Sequence, residues 1–394
     1  MSFNSTPSAE RVHIGFFGLR NAGKSSVVNA VTAQELSLVS DVKGTTTDPV
    51  RKAMELLPIG PVVIIDTPGT DDEGALGEQR VKRAMKTLDE TDIAVLVIDA
   101  EKGETQADEE LKKLITERKI PLITVYNKAD LLSAVPTAGE NTLYVSAASG
   151  TNIFELKEML GRIAADGKKE KRLIGDLLQK DDIVVLVTPI DESAPKGRMI
   201  LPQQQTIRDV LDSDAVCLVT KETQLETLLS SLPKKPRLVV TDSQAFGFVN
   251  KVVPKDIPLT SFSMLFARYK GDLFALADGA DTLDKLRDGD RVLISEGCTH
   301  HRQCNDIGTV KLPNWVSKYT GKNLVFDFTS GRDFPEDVSE YSLVIHCGGC
   351  MLNDAEISSR AKRAKAQGVP MTNYGTAIAK MHGILERAIK PLKP

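Results

Sequence analysis

Gly18-Leu-Arg-Asn-Ala-Gly-Lys-Ser25 decides the fold of the first third of this 394-residue chain. The stretch matches G-x-x-x-x-G-K-[ST]. It follows the apolar run 12–17 and opens a helical pattern, which is the context that a P-loop requires. Its glycines let backbone N–H groups approach nucleotide phosphates, Lys24 supplies positive charge to the β- and γ-phosphates, and the Ser25 hydroxyl can ligate Mg²⁺. The stretch therefore predicts a nucleotide-binding α/β domain.

Three further motifs follow in order, each at the end of a predicted buried strand. Asp66-Thr-Pro-Gly69 offers a carboxylate that holds Mg²⁺ through water and an N–H that meets the γ-phosphate. Asn127-Lys-Ala-Asp130 offers a carboxylate that can accept both N1–H and N2–H of guanine, which adenine cannot reproduce. Ser146-Ala147 completes the base pocket. The four motifs together predict a Ras-like P-loop domain that binds GTP and GDP and hydrolyses GTP.

The predicted nucleotide contacts come from the four motifs and from a threonine-rich segment between the first two. They are Gly18, Asn21, Ala22, Gly23, Lys24, Ser25, Ser26, Thr45, Thr46, Asp66, Gly69, Asn127, Lys128, Asp130, Ser146 and Ala147.

That segment, Gly44-Thr-Thr-Thr-Asp48, resembles switch I of the GTPase group that includes the tRNA-modification and ribosome-assembly GTPases. In that group the second threonine binds Mg²⁺, which maps to Thr46. An asparagine within the P-loop, here Asn21, helps to bind a K⁺ ion that replaces an arginine finger. The resemblance implies a hydrolysis rate that K⁺ raises.

The residue that orients the attacking water is harder to identify from the sequence than the nucleotide contacts are. Position 70 is threonine and not the glutamine that orients the attacking water in Ras-type enzymes. Glu78 occupies the place where the resembling group can carry an acidic water-orienting residue, although a solvated helix face explains it equally simply. The predicted catalytic residues are therefore Lys24, Thr46 and Glu78, with slow intrinsic turnover.

A second constellation lies between positions 298 and 350. Cys298-Thr-His300 and His346-Cys-Gly-Gly-Cys350 each follow an apolar run, 292–294 and 343–345 respectively. Cys347 and Cys350 have the C-x-x-C spacing that lets two thiolates reach one metal centre. The two halves can therefore converge if their apolar runs are strands of one sheet.

Three cysteines with an exchangeable fourth ligand suit a [4Fe–4S] cluster with one accessible iron. The same residues also suit a structural Cys₃His zinc site, and ligand chemistry alone does not separate the two. The candidates for the fourth position are His300, His346 and Glu296. Cys217, in the apolar run 215–219, is predicted to be an ordinary core thiol.

Composition and the pattern of apolar residues bear on the partners, the location and the fold class of the protein. A net charge of −4 gives no basic excess for nucleic-acid binding, and no apolar run approaches the roughly 18–20 residues that span a bilayer. With no apolar leader at the start, we expect a cytoplasmic protein. Alternating strand and helix patterns predict the α/β class throughout, with a P-loop GTPase domain at 1–171 and two further α/β domains at 172–265 and 266–394.

Together, the P-loop domain, the middle α/β segment and C-x-H…H-C-x-x-C resemble the HydF family of [FeFe]-hydrogenase maturation GTPases over the whole chain. Gly197-Arg-Met-Ile-Leu-Pro-Gln-Gln-Gln-Thr-Ile-Arg208 is also similar to that family. The resemblance implies a scaffold and carrier that holds a [4Fe–4S] cluster. It receives a diiron precursor with CO, cyanide and a bridging dithiolate, and delivers it to the apo-hydrogenase. It further implies a homodimer formed through the middle domain, and two radical SAM maturases as partners.

Two other functions remain open from the residues alone. The switch I resemblance allows a ribosome- or tRNA-associated GTPase with a zinc-stabilised tail, against which the acidic net charge weighs. The second open function is that of a redox-sensing GTPase, in which the state of the cluster controls the rate of GTP hydrolysis.

Overall fold

A computed structural model describes residues 6–33, 49–67, 84–167, 171–190, 199–297 and 306–393. The chain divides into two compact units, residues 1–169 and 170–394. Each unit is built from mainly parallel strands covered by helices. Within the described parts of the chain, no helix is both long and apolar enough to cross a membrane.

The first unit has one six-stranded sheet in the order β2-β3-β1-β4-β5-β6. Only β2, among these strands, runs antiparallel to its neighbour. The strands are β1 Val12–Phe17, β2 Val50–Leu56, β3 Gly60–Asp66, β4 Ile93–Asp99, β5 Leu122–Asn127 and β6 Thr142–Tyr144, and the helices are α1 Lys24–Thr32, α2 Gln106–Glu117 and α3 Ile153–Gly167. The amphipathic pattern around 76–89 predicts a further helix, of which the structure describes residues 84–89, and these are helical.

Helices cover both faces of this sheet, which explains why its central strands are apolar on both sides. One core contains Phe16 and Val28 with Leu156, and therefore lies between the sheet and helices α1 and α3. The other contains Leu96 and Ile115, on the side of α2. The loops that carry the nucleotide-binding motifs follow the carboxyl ends of the parallel strands.

The second unit contains two four-stranded parallel sheets. The first has the order β10-β9-β7-β8. Its strands are β7 Ile183–Val187, β8 Val216–Thr220, β9 Leu238–Thr241 and β10 Leu259–Ser261, and the helices of this region are α4 Leu201–Leu211, α5 Leu225–Ser231, α6 Phe246–Val252, α7 Phe262–Lys270 and α8 Leu273–Ala280.

The other sheet of this unit has the order β12-β11-β13-β14. Its strands are β11 Arg291–Ser295, β12 Val325–Thr329, β13 Leu343–His346 and β14 Met371–Asn373, and its helices are α9 Leu312–Thr320, α10 Asp354–Ala366, α11 Tyr374–Met381 and α12 Leu385–Ile389. Helix α12 returns to the core of the preceding sheet, where Leu385 and Ile389 pack. The core of that sheet therefore includes a helix from the end of the chain.

These α/β regions confirm the predicted fold class, but several details differ from expectation. The sequence pattern near 375–389 predicts one helix, and this prediction is wrong, since α11 ends before Gly383 and α12 begins after it. Gly383 has φ +67°, a left-handed conformation that interrupts the helix. The boundary predicted at 265/266 falls inside α7, which runs from Phe262 to Lys270.

Candidate functional site

The P-loop joins the end of β1 to the start of α1, as its sequence predicts. Gly23 precedes the first helical residue and has φ +82°. A Cβ at this position would lie 2.2 Å from the amide nitrogen Nδ2 of Asn127. Asn21 also has a left-handed φ, of +63°, which asparagine tolerates better than most residues. The loop therefore needs glycine at position 23 for both its conformation and its packing.

Gly23→Ala is expected to cost far more stability than Gly103→Ala and to abolish tight nucleotide binding. Gly103 has φ +73°, and a Cβ added there would meet no described atom from elsewhere in the chain within 4 Å. Its substitution therefore carries only the left-handed penalty of about 1–2 kcal/mol. Gly23→Ala adds the collision with Asn127. Urea unfolding and GDP titration of both variants measure the difference, and equal losses would contradict the packing argument.

Lys24, Ser25 and Asp66 form the phosphate and magnesium corner of the site. The Ser25 hydroxyl donates to Asp66 Oδ2 at 2.9 Å, and Lys24 Nζ lies 3.8 Å from Asp66 Oδ1. Asp66 Oδ1 is buried and accepts no hydrogen bond from any described residue. Burial raises the pKa of Asp66, against the opposing effects of the Lys24 charge and the Ser25 hydrogen bond. An unsatisfied carboxylate oxygen beside a serine hydroxyl fits a water-bridged Mg²⁺.

Asn127 connects the phosphate loop to the base loop. Its amide Nδ2 donates to the carbonyl oxygen of Ala22 at 3.0 Å, and its Oδ1 accepts from the N–H of Ala147 at 3.1 Å. The side chain is buried, so both bonds are protected from water. The first residue of the guanine motif thus holds the two halves of the nucleotide site together.

The remaining base-side residues lie in the segments that follow β5 and β6. Lys128 has φ +67° and pairs with Asp99, with 2.5 Å between Nζ and Oδ2. Desolvation would raise the pKa of Asp99, but the hydrogen bonds from Lys128 and backbone N–H groups outweigh it and lower that pKa. Asp130 lies exposed in the turn Ala129–Leu131, open to a base. Ser146 is buried, and its hydroxyl accepts from the N–H of Ser149 at 3.1 Å.

Some predicted nucleotide contacts lie outside the described residues. These are Thr45, Thr46, Gly69 and Glu78. Their assigned roles remain predictions.

In the second unit, the two halves of the cysteine–histidine constellation follow adjacent parallel strands. Ser295 of β11 lies opposite His346 of β13 in the sheet register. Two residues further, the N–H of Gly297 donates to Cys347 Sγ at 3.0 Å, and the N–H of Gly349 donates to the same sulfur at 3.3 Å. The residue that precedes Cys298 therefore contacts Cys347. Backbone N–H groups directed at sulfur suit a thiolate that binds metal.

The electrostatics around the two described cysteines are set by burial and by one lysine. Burial, with repulsion from Cys350, raises the pKa of Cys347 to about 11. Burial also raises the pKa of Cys350, and the nearby Lys270 charge opposes that shift. Lys270 Nζ donates to the carbonyl oxygens of Gly349 at 3.0 Å and Leu352 at 2.5 Å. The loop that carries both cysteines is thus tied to helix α7.

His346 is less available as a ligand than its sequence position suggests. Its Nε2 accepts from Arg360 Nη1 at 3.0 Å, so its Nδ1 carries the proton and donates to the carbonyl oxygen of Cys347 at 2.7 Å. Burial and the Arg360 charge lower the pKa of His346 to about 3, so the ring is neutral. Ligation of iron by His346 would require one of these buried hydrogen bonds to break.

Glu296 is buried, and its Oε1 accepts from the Tyr374 hydroxyl at 3.1 Å. Burial and the Glu296 charge raise the pKa of Tyr374 well above its ordinary value, which keeps this donor protonated. The Glu296 charge also adds slightly to the effect of burial in raising the pKa of Cys347.

Cys298 and His300 lie outside the described residues, and among those described no three metal-binding side chains converge. Cys217 lies partly buried on β8, about 80 or more positions before the other cysteines in the sequence. Burial raises the pKa of this thiol to about 11. Lys270, Tyr374 and Arg360 were not predicted from the sequence. None carries a local motif, because their roles arise from tertiary packing.

Three family models match successive regions of the chain. Residues 13–128 match a model described as a 50S ribosome-binding GTPase. Residues 173–271 match the hydrogen maturase F dimerization domain, and residues 273–391 match the hydrogen maturase F tetramerization domain. The two hydrogen maturase F models together cover more than half of the chain.

Two curated relatives each match less than half of this chain. The tRNA modification GTPase MnmE of Nitrosomonas europaea is 34% identical over 160 residues, which are 39% of this chain and 35% of that protein. MnmE of Legionella pneumophila strain Corby is 37% identical over 149 residues, 37% of this chain and 33% of that protein. The chain thus spans about a third of the length of these relatives.

Among solved structures, a point variant of Aquifex aeolicus Era bound to GDP·AlF4⁻ is similar at a TM-score of 0.34. The match has 19% sequence identity and covers 53% of this chain and 93% of that one.

Proposed function

Since this chain belongs to the hydrogen maturase F family, we propose that it is a GTP-hydrolysing scaffold and carrier in [FeFe]-hydrogenase maturation. In this role it holds a [4Fe–4S] cluster, receives a diiron precursor and transfers it to the apo-hydrogenase. The single observation that carries the proposal is the contact of Gly297 N–H with Cys347 Sγ, at 3.0 Å. It brings the segment leading to Cys298 against the C-x-x-C loop.

The nucleotide chemistry follows from residues of the first unit. Lys24 and the P-loop N–H groups hold the phosphates, Ser25 and Asp66 hold Mg²⁺, and Asp130 selects guanine. Mg²⁺ bound there would neutralise charge that develops on the β- and γ-phosphates. Thr46 and Glu78 are proposed to complete the magnesium shell and to orient water.

Replacing Na⁺ by K⁺ at constant ionic strength is expected to raise GTP turnover about tenfold or more. An arginine finger contributes on the order of 10³–10⁵ in rate to P-loop GTPases, and a bound K⁺ supplies part of that charge. Asn21→Ala should remove the K⁺ response, whereas Asn29→Ala, on the following helix, should keep it. Phosphate release assayed in both salts measures the effect, and equal wild-type rates would exclude a role for Asn21 in K⁺ binding.

The cysteine site supports a cluster through the character of its donors. Cys347 already receives two N–H hydrogen bonds, and Lys270 brings a positive charge that offsets the negative charge of a thiolate-ligated cluster. Cys298, Cys347 and Cys350 would hold the cluster, which supplies one iron with an exchangeable position. The fourth ligand is proposed among His300, Glu296 and His346, of which His346 is the most constrained by its present hydrogen bonds.

Partners and location follow from the family. The chain is proposed to form a homodimer through the middle region, to work in the cytoplasm, and to meet two radical SAM maturases and the apo-hydrogenase. Neither nucleic acid nor a membrane is required. The tRNA modification in the name of MnmE belongs to proteins that match less than half of this chain.

Anaerobic purification followed by iron, sulfide and zinc analysis tests this function. The expected result is iron and sulfide in equal amounts, little zinc, and the EPR signal of a reduced [4Fe–4S] cluster. The protein loaded with a diiron dithiolate that carries CO and cyanide should then activate an apo-hydrogenase. Stoichiometric zinc without sulfide would overturn the cluster. Cluster-containing protein that changes its GTP turnover several-fold on oxidation, and activates no hydrogenase, would favour the redox-sensing alternative.

A further inference from the structure

His346 has half of the arrangement that a metal-bound histidine uses. A ligating histidine commonly donates the N–H of one ring nitrogen to a carbonyl oxygen or carboxylate and binds metal through the other. Here Nδ1 donates to the carbonyl oxygen of Cys347 at 2.7 Å, so the metal-binding lone pair of the neutral ring is on Nε2. That lone pair accepts a hydrogen bond from Arg360 Nη1 at 3.0 Å. One contact therefore separates this histidine from the role of a ligand.

Arg360, on helix α10, is fixed by contacts with several parts of the fold. The side chain is buried, and its Nη2 donates to Glu356 Oε1 at 2.5 Å and to the carbonyl oxygen of Gly331 at 2.7 Å. Its guanidinium carbon lies 5.4 Å from the centre of the Phe334 ring, and Nη1 lies 3.4 Å from the Ser295 hydroxyl. These partners belong to α10, to the segment that follows β12 and to β11. The guanidinium therefore cannot leave the imidazole without breaking other buried hydrogen bonds.

Glu356 supplies the negative charge that keeps Arg360 in place. It lies four residues earlier on α10 and is also buried, so solvent ions screen the pair little. Arg332 Nε approaches the other carboxylate oxygen less closely, at 3.6 Å. Removing one partner of a buried ion pair leaves a charge without compensation, which is strongly unfavourable. The carboxylate thus opposes any movement of the guanidinium away from His346.

We infer that Arg360 is a positioning residue that keeps His346 off the iron, and that Glu356 holds the arginine in this role. The inference rests on the proposed function and narrows its fourth ligand, because it removes His346 from the candidates. The imidazole follows the backbone directly into Cys347, a proposed thiolate ligand. If the arginine released it, this group of the same chain would compete for the iron at high effective concentration and close the exchangeable position.

Arg360→Met in the anaerobically purified full-length protein tests this role. The protein carries ¹⁵N-labelled histidine, and pulsed EPR of the reduced cluster detects a ¹⁵N nucleus bound to iron. Wild type and His346→Ala should give the same spectrum, whereas Arg360→Met should add a ¹⁵N coupling that disappears again in Arg360→Met with His346→Ala. Imidazole of natural isotopic abundance, recognised by its ¹⁴N signal, is the probe of the exchangeable position. Its half-saturating concentration should rise at least about tenfold in Arg360→Met and return to the wild-type value in the double variant.

Arg363→Met is the matched control. Arg363 lies on the same helix and donates to the carbonyl oxygens of Phe334 and Pro335. It does not bond His346, whose two ring nitrogens are engaged by Arg360 and by the Cys347 carbonyl oxygen. The control should therefore keep the wild-type spectrum and the wild-type affinity for imidazole.

Arg360→Met combined with Glu356→Met keeps the test decisive if the single variant does not fold, because it removes both charges of the buried pair together. It should show the same coupling from His346. Wild-type protein without the EPR signal of a [4Fe–4S] cluster would overturn the proposed function and this inference with it. A coupling from His346 in the wild type, or none in Arg360 variants that hold the cluster, would overturn the role of Arg360 alone. Loss of the cluster from both Arg360 variants would make the arginine a structural residue and would overturn that role as well.

Discussion

Asp130→Asn should lower GTP affinity by roughly two to three orders of magnitude and raise the affinity for xanthosine triphosphate. The carboxylate accepts two hydrogen bonds from guanine N1–H and N2–H, each charge-assisted and contributing about 1.5–3 kcal/mol. Asparagine keeps one acceptor and turns an amide N–H₂ towards a guanine donor. Xanthine has a carbonyl oxygen where guanine has its amino group, so the same amide becomes complementary. Competition against a fluorescent GDP analogue measures both affinities.

The structure indicates that this substitution should change base recognition without disturbing the fold. Asp130 is exposed in a turn whose backbone is fixed by its neighbours, since Ala129 N–H donates to the carbonyl oxygen of Val145 at 3.0 Å. The fold should therefore tolerate the change, with stability within about 0.5 kcal/mol of wild type. Glu140→Gln removes another exposed carboxylate of the same unit and serves as the control. An Asp130→Asn protein that still prefers GTP to xanthosine triphosphate would show that guanine is selected elsewhere.

Loss of nearly all cluster iron is expected from Cys347→Ala, with GTP turnover within about twofold of wild type. The substitution removes a proposed thiolate ligand and also the acceptor of the Gly297 and Gly349 N–H groups. Each buried donor left without a partner costs about 1–3 kcal/mol, so the cysteine loop should loosen as well. Iron and sulfide analysis of anaerobically purified protein, with GTPase assays on the same samples, measures both effects.

Cys217→Ala is the matched control for this loss. Cys217 lies on β8 with a pKa that burial raises to about 11, and its substitution should affect neither iron content nor turnover. Iron retained in full by Cys347→Ala would remove that residue from the ligand set. Cys304 is not among the proposed ligands, so loss of iron from Cys304→Ala would show that the cysteines had been assigned wrongly.

The parts of the fold that could be predicted from the sequence are those in which apolar strands lie between helices. The strands that end before Gly18, at Asp66 and at Asn127 read as mainly apolar runs, because both of their faces are buried. Strand β2 was missed because it forms the sheet edge and alternates between exposed and partly buried residues. The short strands β10 and β14, of three residues each, carry too little pattern to be recognised.

In the candidate sites, too, local sequence patterns could be recognised but contacts between distant residues could not. Motifs at strand ends indicated Lys24, Asp66, Asn127 and Cys347, since spacing along the chain is enough to identify them. Long-range contacts gave no such signal. The bond of Lys270 to the Gly349 carbonyl oxygen joins residues 79 positions apart, and only tertiary packing brings them together. The hydrogen bond from Arg360 to His346 likewise depends on how α10 packs against β13.

The pairing of Ser295 with His346 restricts how this region can be redesigned. Removal of one residue from β11 would move the following segment by about 3.3 Å and turn every side chain of the strand to the opposite face. Gly297 would then no longer face Cys347 Sγ. Lengthening the connection between β11 and β13 far from either strand leaves that alignment intact. Circular permutants and inserted reporter peptides should therefore be placed in that connection, for instance at the exposed Gly321, which ends α9.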